Sequence, residues 1–332
     1  MTSDPDHFDP LKSVHYIAQD PGLLWQKDPA IALDADSPLD SLRALTPNVI
    51  TIDNGYRMYY TGLGPELAAK GSIGCILSAW SDDGIHWKKE AGIRVGNFPP
   101  LADAWTLCPD VIPLADGRWR MYFEARSRST PTVVLSAISE DGLDWIVEEG
   151  IRVSNPDWSY GSPRCIYIPQ TNRSKSLSSH DRYRLYFHHY RHPMRGGMDA
   201  QNHIISAISD DGLNFRLDAG VRLAQEAPQW ESYAVYAPEV IRLQDGSYRM
   251  YYSSWSTTVR GGVFAARSPD GLNWSKEGPP ILRLDRPLDN KMVSEPCVIT
   301  LKEGEYRLYY EAQGEDGVYR ILSATATHPT LK

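Results

Sequence analysis

The sequence predicts an all-β protein, a five-bladed β-propeller with four antiparallel strands in each blade, and three observations lead to this prediction. Two short sequence phrases recur along the chain, aromatic and turn-forming residues are abundant, and no long amphipathic helical pattern is present. The 332 residues include 19 Tyr and 10 Trp beside 25 Gly and 24 Pro, a composition typical of short strands joined by tight turns. Each repeat has room for about four short strands, the size of one propeller blade.

The first phrase begins at a proline, continues as an apolar strand, turns, and returns as a strand in which Tyr, Arg and other aromatic residues alternate. It occurs five times, with its leading prolines at Pro47, Pro109, Pro163, Pro238 and Pro296. Pairs such as Asn54-Gly55 and Asp116-Gly117 indicate a hairpin turn between the two strands. This phrase therefore predicts the two inner strands of each blade.

The second phrase follows the first four copies of the first one and supplies two outer strands. One copy reads ILSAWSDDGIHW at 76–87. Its Asp-Gly pair predicts a turn, and its terminal Trp or Phe predicts an aromatic ring that packs on the blade. We assign a structural role to this motif and no chemistry.

The fifth repeat lacks an outer strand, and the N-terminal region offers one. The segment PGLLWQKDPAIAL at 21–33 is similar to DGLNWSKEGPPIL at 270–282. We therefore expect 21–33 to form the outer strand of the last blade, so that the ring closes without an open edge. The expected organisation is an N-terminal arm at 1–20 and a single propeller domain at 21–332.

Charge, hydropathy and cysteine spacing exclude several classes of protein. The chain has 42 acidic and 34 basic residues and a net charge of −8, which argues against binding nucleic acid or an anionic membrane through bulk charge. No apolar stretch is long enough for a transmembrane helix, and the N-terminus has no apolar signal region. The four cysteines lack the spacing of a zinc site or a disulfide framework, so we expect a cytoplasmic protein with reduced thiols.

Candidate functional residues lie where the first strands begin and the second strands end, the face that carries the long, irregular loops. Side chains next to the leading prolines and at the ends of the second strands are expected to meet there. The acidic ones are Asp110, Glu124, Glu239, Glu295 and Glu311, and the basic ones are Arg126, Arg164, His188 and His189. Crowded carboxyl groups raise one another's pKa, which allows one to act as an acid and another as a base.

Three further side chains are expected to contact a substrate. Asn48 follows Pro47 as Asp110 follows Pro109. The rings of Trp105 and Trp255 have two possible roles: they contact the apolar face of a sugar, or they anchor the loops.

A run of histidines extends from His188 to His192, and His203 follows it. Neighbouring residues on a strand point to opposite sides, which argues against a shared metal site. We predict no metal and no cofactor, with His188 or His189 as a substrate contact or general base.

Several strand starts resemble those of known glycosidases. The segment Trp-Thr-Leu-Cys-Pro-Asp-Val at 105–111 is similar to the W-A-P-D-V strand start of the arabinanase/xylosidase-like family 43. The segments Ser-Glu-Pro-Cys at 294–297 and Ala-Pro-Glu at 237–239 loosely resemble its E-G-P or E-C-P strand start. Over nearly all five repeats the chain resembles the five-bladed propeller glycosidases, which also include levansucrase/invertase-like enzymes and family 130 phosphorylases.

The resemblance implies roles for individual residues. It implies that Asp110 tunes the general acid and that Glu239 or Glu295 is the proton donor. The family's general base is an Asp before the first leading proline, and this sequence has Thr46 there. The base is therefore unassigned.

The predicted function is that of a carbohydrate-active enzyme of the glycoside hydrolase type, which acts on a small glycoside or oligosaccharide in the central funnel. The candidate catalytic residues are Asp110, Glu239 and Glu295. Because Thr46 replaces the base, two alternatives stay open: a lyase, isomerase, cyclase or phosphorylase on the same scaffold, or a non-catalytic sugar-binding propeller. In a phosphorylase the phosphate itself attacks, and the side chains expected to hold it are Arg126, Arg164, His188 and Arg191.

Overall fold

The structure is a computed structural model that describes residues 16–17, 19–69, 73–168, 182–191, 196–302 and 304–327. Its regular structure is almost entirely strand. The strands are β1 (Tyr16–Ile17), β2 (Gln26–Lys27), β3 (Arg43–Ile52), β4 (Gly55–Leu63), β5 (Cys75–Ser81), β6 (Lys88–Lys89), β7 (Trp105–Pro113), β8 (Trp119–Arg126), β9 (Val133–Ser139), β10 (Ile146–Val147), β11 (Trp158–Ile168), β12 (Arg182–Arg191), β13 (His203–Ser209), β14 (Arg216–Leu217), β15 (Ala234–Leu243), β16 (Tyr248–Trp255), β17 (Val263–Ser268), β18 (Ser275–Lys276), β19 (Met292–Lys302), β20 (Glu305–Gln313) and β21 (Tyr319–Thr327). The helices are α1 (Pro65–Ala69) and α2 (Pro228–Glu231), with a 3₁₀ turn at Met198–Ala200.

The strands pair into four-stranded antiparallel units, and the all-β prediction is confirmed. Strands β3 to β6, β7 to β10, β11 to β14 and β15 to β18 each pair in chain order. In the last unit β19, β20 and β21 pair in order, and β2 pairs antiparallel with β21 through Gln26↔Thr325 and Lys27↔Ala324. Of the expected arm, residues 1–15 and 18 lie outside the described residues, and β1 pairs in parallel with β15.

The first strands of successive units lie side by side. β3 contacts β7, β7 contacts β11, β11 contacts β15, β15 contacts β19, and β19 contacts β3. Buried apolar side chains fill the space between units: Val49 and Met58 of the first unit pack in one cluster with Cys297 and Tyr309 of the last. Burial of this kind contributes roughly 25 cal/mol per Å² of apolar surface, so the packing between units is a main source of stability.

The same side-chain contact links each unit to the next. A buried tyrosine of the second strand donates its hydroxyl proton to a carbonyl in the outer turn of the following unit. The pairs are Tyr59 to Gly142, Tyr122 to Gly212, Tyr186 to Gly271, Tyr251 to Gly22 and Tyr309 to Gly84. Each of these rings also makes an edge-to-face contact with one aromatic ring of that unit, respectively Trp145, Phe215, Trp274, Trp25 and Trp87.

The outer turn motif has the structural role that the sequence predicts. In the first unit, Asp83 Oδ1 accepts hydrogen bonds from the backbone N–H groups of Ile85 and His86 at 2.7 and 2.8 Å. Ser81 Oγ accepts one from Gly84 N at 2.9 Å, and Gly84 has a φ of +70°, a value that a residue with a side chain seldom adopts.

Polar side chains of the N-terminal segment fasten β2 to the last unit. Asp28 accepts hydrogen bonds from Ser323 at 2.7 Å and Thr325 at 2.9 Å, and its carboxylate lies 3.3 Å from Arg307. Lys27 Nζ lies 2.7 Å from Asp289. The seam between β2 and β21 is therefore held by side chains as well as by the short backbone pairing.

Each first strand has a bulge at its leading proline. Strand register shifts there in β3, β7, β11, β15 and β19. The residue before each proline has a φ between +48° and +52°, and these residues are Thr46, Cys108, Ser162, Ala237 and Glu295. A bulge inserts an extra residue and redirects the side chains around it, so it decides which side chains face the site described below.

No helix among the described residues is long and apolar enough to cross a membrane.

The cysteines are Cys75, Cys108, Cys165 and Cys297, all buried free thiols. The expected cytoplasmic location stays a prediction.

Candidate functional site

A cavity of about 350 Å³ lies where the first strands begin and the second strands end. Its volume is within the usual range for small-molecule sites, roughly 300–1,000 Å³. The lining residues are Arg43, Leu45, Thr46, Trp105, Leu107, Cys108, Glu124, Arg126, Ser162, His188, Asn202, Ala234, Tyr236, Trp255, Met292, Ser294, Glu295 and Glu311.

Three buried glutamates, Glu124, Glu295 and Glu311, line this cavity. Glu295 Oε1 accepts a hydrogen bond from Ser162 Oγ at 3.0 Å, whereas its Oε2 is buried without a partner among the described residues. Glu124 accepts hydrogen bonds from Arg126 at 2.5 Å and from Ser162 N at 3.2 Å. One residue, Ser162, thus bridges Glu124 and Glu295.

Burial changes the proton affinity of two of these glutamates. It raises the pKa of Glu295 to about 7, with a further upward contribution from Glu124 and downward ones from Arg164 and the Ser162 hydroxyl. Burial, together with the nearby Glu295 carboxylate, raises the pKa of Glu311 to about 8. Because the two interact, these values describe the pair, which carries one proton between about pH 7 and 8.

The bulges hold the strand-end side chains in the cavity. The backbone N–H of the residue before the proline donates to the side chain that ends the second strand of the preceding unit. The donor–acceptor pairs are Thr46 N with Glu311 Oε2 (3.3 Å), Cys108 N with Thr61 Oγ1 (3.2 Å), Ser162 N with Glu124 Oε2 (3.2 Å) and Glu295 N with Ser253 Oγ (2.9 Å). The strained bulge amides therefore place Glu124 and Glu311.

His188 occupies the equivalent strand-end position in the third unit. Burial lowers its pKa to about 4, so the imidazole is neutral at pH 7. Its Nδ1 is buried without a partner among the described residues. The His188 ring and the Glu124 carboxylate both pack against Gly161. A Cβ at this position would lie 2.6 Å from Glu124 Oε2 and 2.7 Å from His188 Cε1, so only glycine leaves room for both side chains.

Beneath the cavity, the residues after the leading prolines form a buried polar belt, which consists of Asn48, Asp110, Arg164, Glu239 and Cys297. Four of their side chains accept hydrogen bonds from backbone N–H groups of neighbouring first strands: Asn48 from Val111 (3.0 Å), Asp110 from Cys165 (2.7 Å), Glu239 from Val298 (2.9 Å) and Cys297 from Val49 (3.2 Å). Arg164 donates to Glu239 at 3.0 Å and to the carbonyls of Pro47 and Pro109. Each belt residue therefore ties adjacent strands together.

In the structure, all the predicted site residues except His189 fall into two groups. Those that line the cavity are Trp105, Glu124, Arg126, His188, Trp255, Glu295 and Glu311. The expectation that the residues after the prolines share this space is not met, because the bulge directs Asn48, Asp110, Arg164 and Glu239 into the belt, where they are at most 2% exposed.

His189 lies on the other side of β12 from His188 and stacks on Trp158 at 4.4 Å between ring centroids. His192 lies outside the described residues. Among the residues with described positions, no group of three or more His, Cys, Asp or Glu side chains is arranged to hold a metal ion.

Several lining residues were not predicted from the sequence. Arg43 and Tyr236 lie four and two residues before their prolines, and strand alternation counted backwards from the bulge would have found them. Ser162 directly precedes its proline, as Glu295 does. Asn202 lies in a loop, and no sequence signal points to it.

No protein-family model matches the chain, and no curated protein matches it in sequence. Solved structures share its fold. A glycoside hydrolase matches with a TM-score of 0.71 and 15% identity over 92% of this chain and 93% of that chain. A member of GH130, a family of mannoside phosphorylases that contains glycoside hydrolases targeting β-1,2-mannosidic linkages in Candida mannan, matches with a TM-score of 0.68 and 14% identity over 95% of this chain and 99% of that chain.

A thermostable family-43 glycoside hydrolase matches with a TM-score of 0.65 and 15% identity over 89% of this chain and 95% of that chain. At such identities the likeness concerns the fold alone. The chain therefore shares its fold with these glycoside hydrolases, as the resemblance in the sequence indicated.

Proposed function

We propose that the protein cleaves a glycosidic bond of a small glycoside or oligosaccharide held in the cavity. The observation that carries this proposal is Glu295, a buried glutamate with a pKa of about 7 that lies among other carboxyl groups and whose Oε2 has no partner among the described residues. Glycoside hydrolysis needs a carboxylic acid that is still protonated near neutral pH and a second carboxylate nearby.

The scaffold in this proposal is a five-bladed propeller whose last blade is completed by the N-terminal strand. Support comes from the contact between β19 and β3 and from the pairing of β2 with β21. The Tyr251–Gly22 hydrogen bond supports it further, since it repeats in the N-terminal segment the link that the other units make.

Glu295 is the proton donor in this mechanism, and its Oε2 is the oxygen that reaches the leaving group. Glu311 is the base. Its carboxylate lies beside Thr46, the position without a carboxyl group in this sequence, because the Thr46 backbone N–H donates a hydrogen bond to Glu311 Oε2. The active form is the arrangement of the singly protonated pair in which Glu295 holds the proton: Glu295 gives it to the departing oxygen, while the ionised Glu311 takes one from the attacking water.

The remaining side chains bind and orient the sugar. Trp105 and Trp255 present aromatic rings, and Arg126 lies over the Trp105 ring with 5.7 Å between the guanidinium carbon and the ring centroid. Glu124, which is paired with Arg126, favours the protonated form of Glu295 through its charge. We assign Asp110 and Glu239 to the scaffold, because their carboxylates are occupied by neighbouring strands.

Phosphorolysis is the second candidate, and the two guanidinium groups in the cavity favour it. Arg43 and Arg126 line the space next to Glu295, and an arginine pair suits a phosphate that attacks in place of water. Arg164 has no part in this role, because its guanidinium is bound to Glu239 and to the carbonyls of Pro47 and Pro109.

The proposal is tested with a panel of aryl glycosides and oligosaccharides, assayed with and without phosphate. Turnover without phosphate supports hydrolysis, and turnover only with phosphate supports phosphorolysis. Glu295→Gln and Glu311→Gln are expected to lower kcat by about 10² to 10⁴-fold, whereas Glu140→Gln, at an exposed outer turn, leaves it unchanged. Saccharide binding without any turnover, unaffected by Glu295→Gln, would identify a binding module and overturn the proposal.

A further inference from the structure

A second concave region lies beside the cavity, between the last two units. This groove has a volume of about 550 Å³. Its walls are formed by α2, by the loop between β16 and β17, and by the segment that leads into β19. The lining residues are Trp230, Thr258, Val259, Arg260, Gly261, Gly262, Pro280, Arg283, Leu284, Asn290 and Lys291.

The charge of the groove is opposite to that of the whole chain. Arg260, Arg283 and Lys291 line it, and no Asp or Glu does. In the part of the chain with described positions, none of these three side chains forms an ion pair with a carboxylate, whereas Lys27 and Lys276 on the same two units each do. For a protein with a net charge of −8, three cations without acidic partners around one concavity form a local anion-attracting surface.

The groove also offers groups that recognise sugars. Trp230 is half-buried against Phe264 and contributes to the wall. The Asn290 side chain is fixed by its Nδ2–H, which donates to Glu315 at 2.7 Å, so its Oδ1 remains as an acceptor. That oxygen is buried without a partner among the described residues, and a ligand hydroxyl would satisfy it.

The groove borders the cavity at Trp255 and Met292. The Arg260 guanidinium carbon lies 5.1 Å from the Trp255 ring centroid, and Trp255 lines the cavity. Lys291 directly precedes Met292, which also lines the cavity. The direction from Glu295 past Trp255 to Arg260 is therefore the one in which a longer saccharide bound in the cavity would meet the groove.

We propose that the groove binds an anionic sugar unit, one that carries a carboxylate, sulfate or phosphate, and that it selects acidic saccharides as ligands. The anionic group pairs with Arg260, Arg283 and Lys291, a hydroxyl donates to Asn290 Oδ1, and the ring lies against Trp230. The link to substrate selection rests on the proposed function, because it places the adjoining sugar in the cavity.

The test is a ¹⁹F NMR titration of full-length protein labelled with 5-fluorotryptophan, in which Trp230→Phe assigns the Trp230 resonance. The probes are glucuronic acid, glucose 6-sulfate, glucose 6-phosphate, neutral methyl glucoside and inorganic sulfate. We expect at least one anionic sugar to shift the Trp230 resonance, with weaker binding at higher ionic strength. The three anionic sugars distinguish the carboxylate from the sulfate and the phosphate.

Matched variants locate the site. Arg260→Gln and Lys291→Gln are each expected to weaken binding about fivefold, whereas Lys88→Gln, an exposed lysine on β6, leaves it unchanged. The proposal is overturned if no anionic sugar shifts the resonance, or if methyl glucoside or inorganic sulfate binds equally well. It is also overturned if the variant that combines Arg260→Gln with Lys291→Gln binds as the parent does. The titration needs no turnover, so its outcome is separate from that of the proposed catalysis.

Discussion

Ser162 is the residue through which two glutamates of the cavity are connected. Its backbone N–H donates to Glu124 and its hydroxyl donates to Glu295. The hydroxyl stabilises the ionised form of Glu295 and so lowers the pKa that burial raises. A single serine thereby holds the carboxyl group of the proposed donor and contributes to its proton affinity.

The pH dependence of activity follows from the raised pKa values of Glu295 and Glu311. The singly protonated pair predominates between about pH 7 and 8, so we expect a bell-shaped kcat/KM profile centred in that interval. Ser162→Ala removes a hydrogen bond that favours the ionised form, and the profile should move to higher pH. An optimum near pH 5 in the parent, the region of ordinary carboxyl groups, would contradict the assignment.

The same raised pKa predicts a cost in stability. Folded Glu295 holds its proton up to about pH 7, whereas the unfolded chain releases it near its ordinary value of 4.5. Stability therefore falls as pH rises between these values, and the loss is complete above pH 7. We expect Glu295→Gln to unfold at a higher temperature than the parent at pH 9, with a gain of up to about 3 kcal/mol, and to show little gain at pH 4. Equal melting temperatures at pH 9 would argue against a buried ionised glutamate.

At the scale of strands, the bulge at each leading proline explains why some site residues were predictable and others were not. The repeated prolines and Asp-Gly pairs predict the strands, the turns and the face with the cavity, and the second-strand ends predict Glu124, His188 and Glu311. Strict alternation gives no account of the extra residue in the bulge. As a result, Asp110 and Glu239 were expected in the cavity, but they lie in the belt below it.

The contacts of the belt lead to a prediction that distinguishes a scaffold role of Glu239 from a catalytic role. Glu239→Gln leaves the buried Arg164 guanidinium without its charged partner, and we expect a loss of about 3 kcal/mol in the free energy of unfolding. Equilibrium denaturation by urea measures this loss. If Glu239 were a proton donor instead, the variant would lose activity in the native state while its unfolding midpoint stayed near that of the parent.

Across the whole molecule, the units are linked by one repeated contact, and the N-terminal segment takes part in it. Trp25 packs edge-to-face on Tyr251 with 5.7 Å between ring centroids, as Trp274 does on Tyr186 with 6.0 Å. The sequence predicts this equivalence through the similarity of 21–33 to 270–282, because the same turn and the same aromatic residue recur at the same spacing.

The equivalence can be measured with a pair of substitutions. Trp25→Ala and Trp274→Ala each remove a half-buried indole from the same contact, and we expect both to lower the free energy of unfolding by about 2–3 kcal/mol, just below the range for fully buried aromatic residues. Denaturant unfolding of the two variants under one set of conditions provides the comparison. A negligible effect of Trp25→Ala beside a large effect of Trp274→Ala would show that the N-terminal segment contributes little to the fold.

The paired strands β2 and β21 are not joined by a short turn, unlike the other outer strand pairs. β6, β10, β14 and β18 each follow their partner strand through a tight turn, whereas β2 and β21 are separated by most of the chain. Detaching β2 frees a segment that no short turn holds nearby, so local opening there gains more chain entropy than at any other outer strand. Amide hydrogen exchange is accordingly expected to begin at the edge of β21 that β2 covers, before the matching edges of β9 and β13.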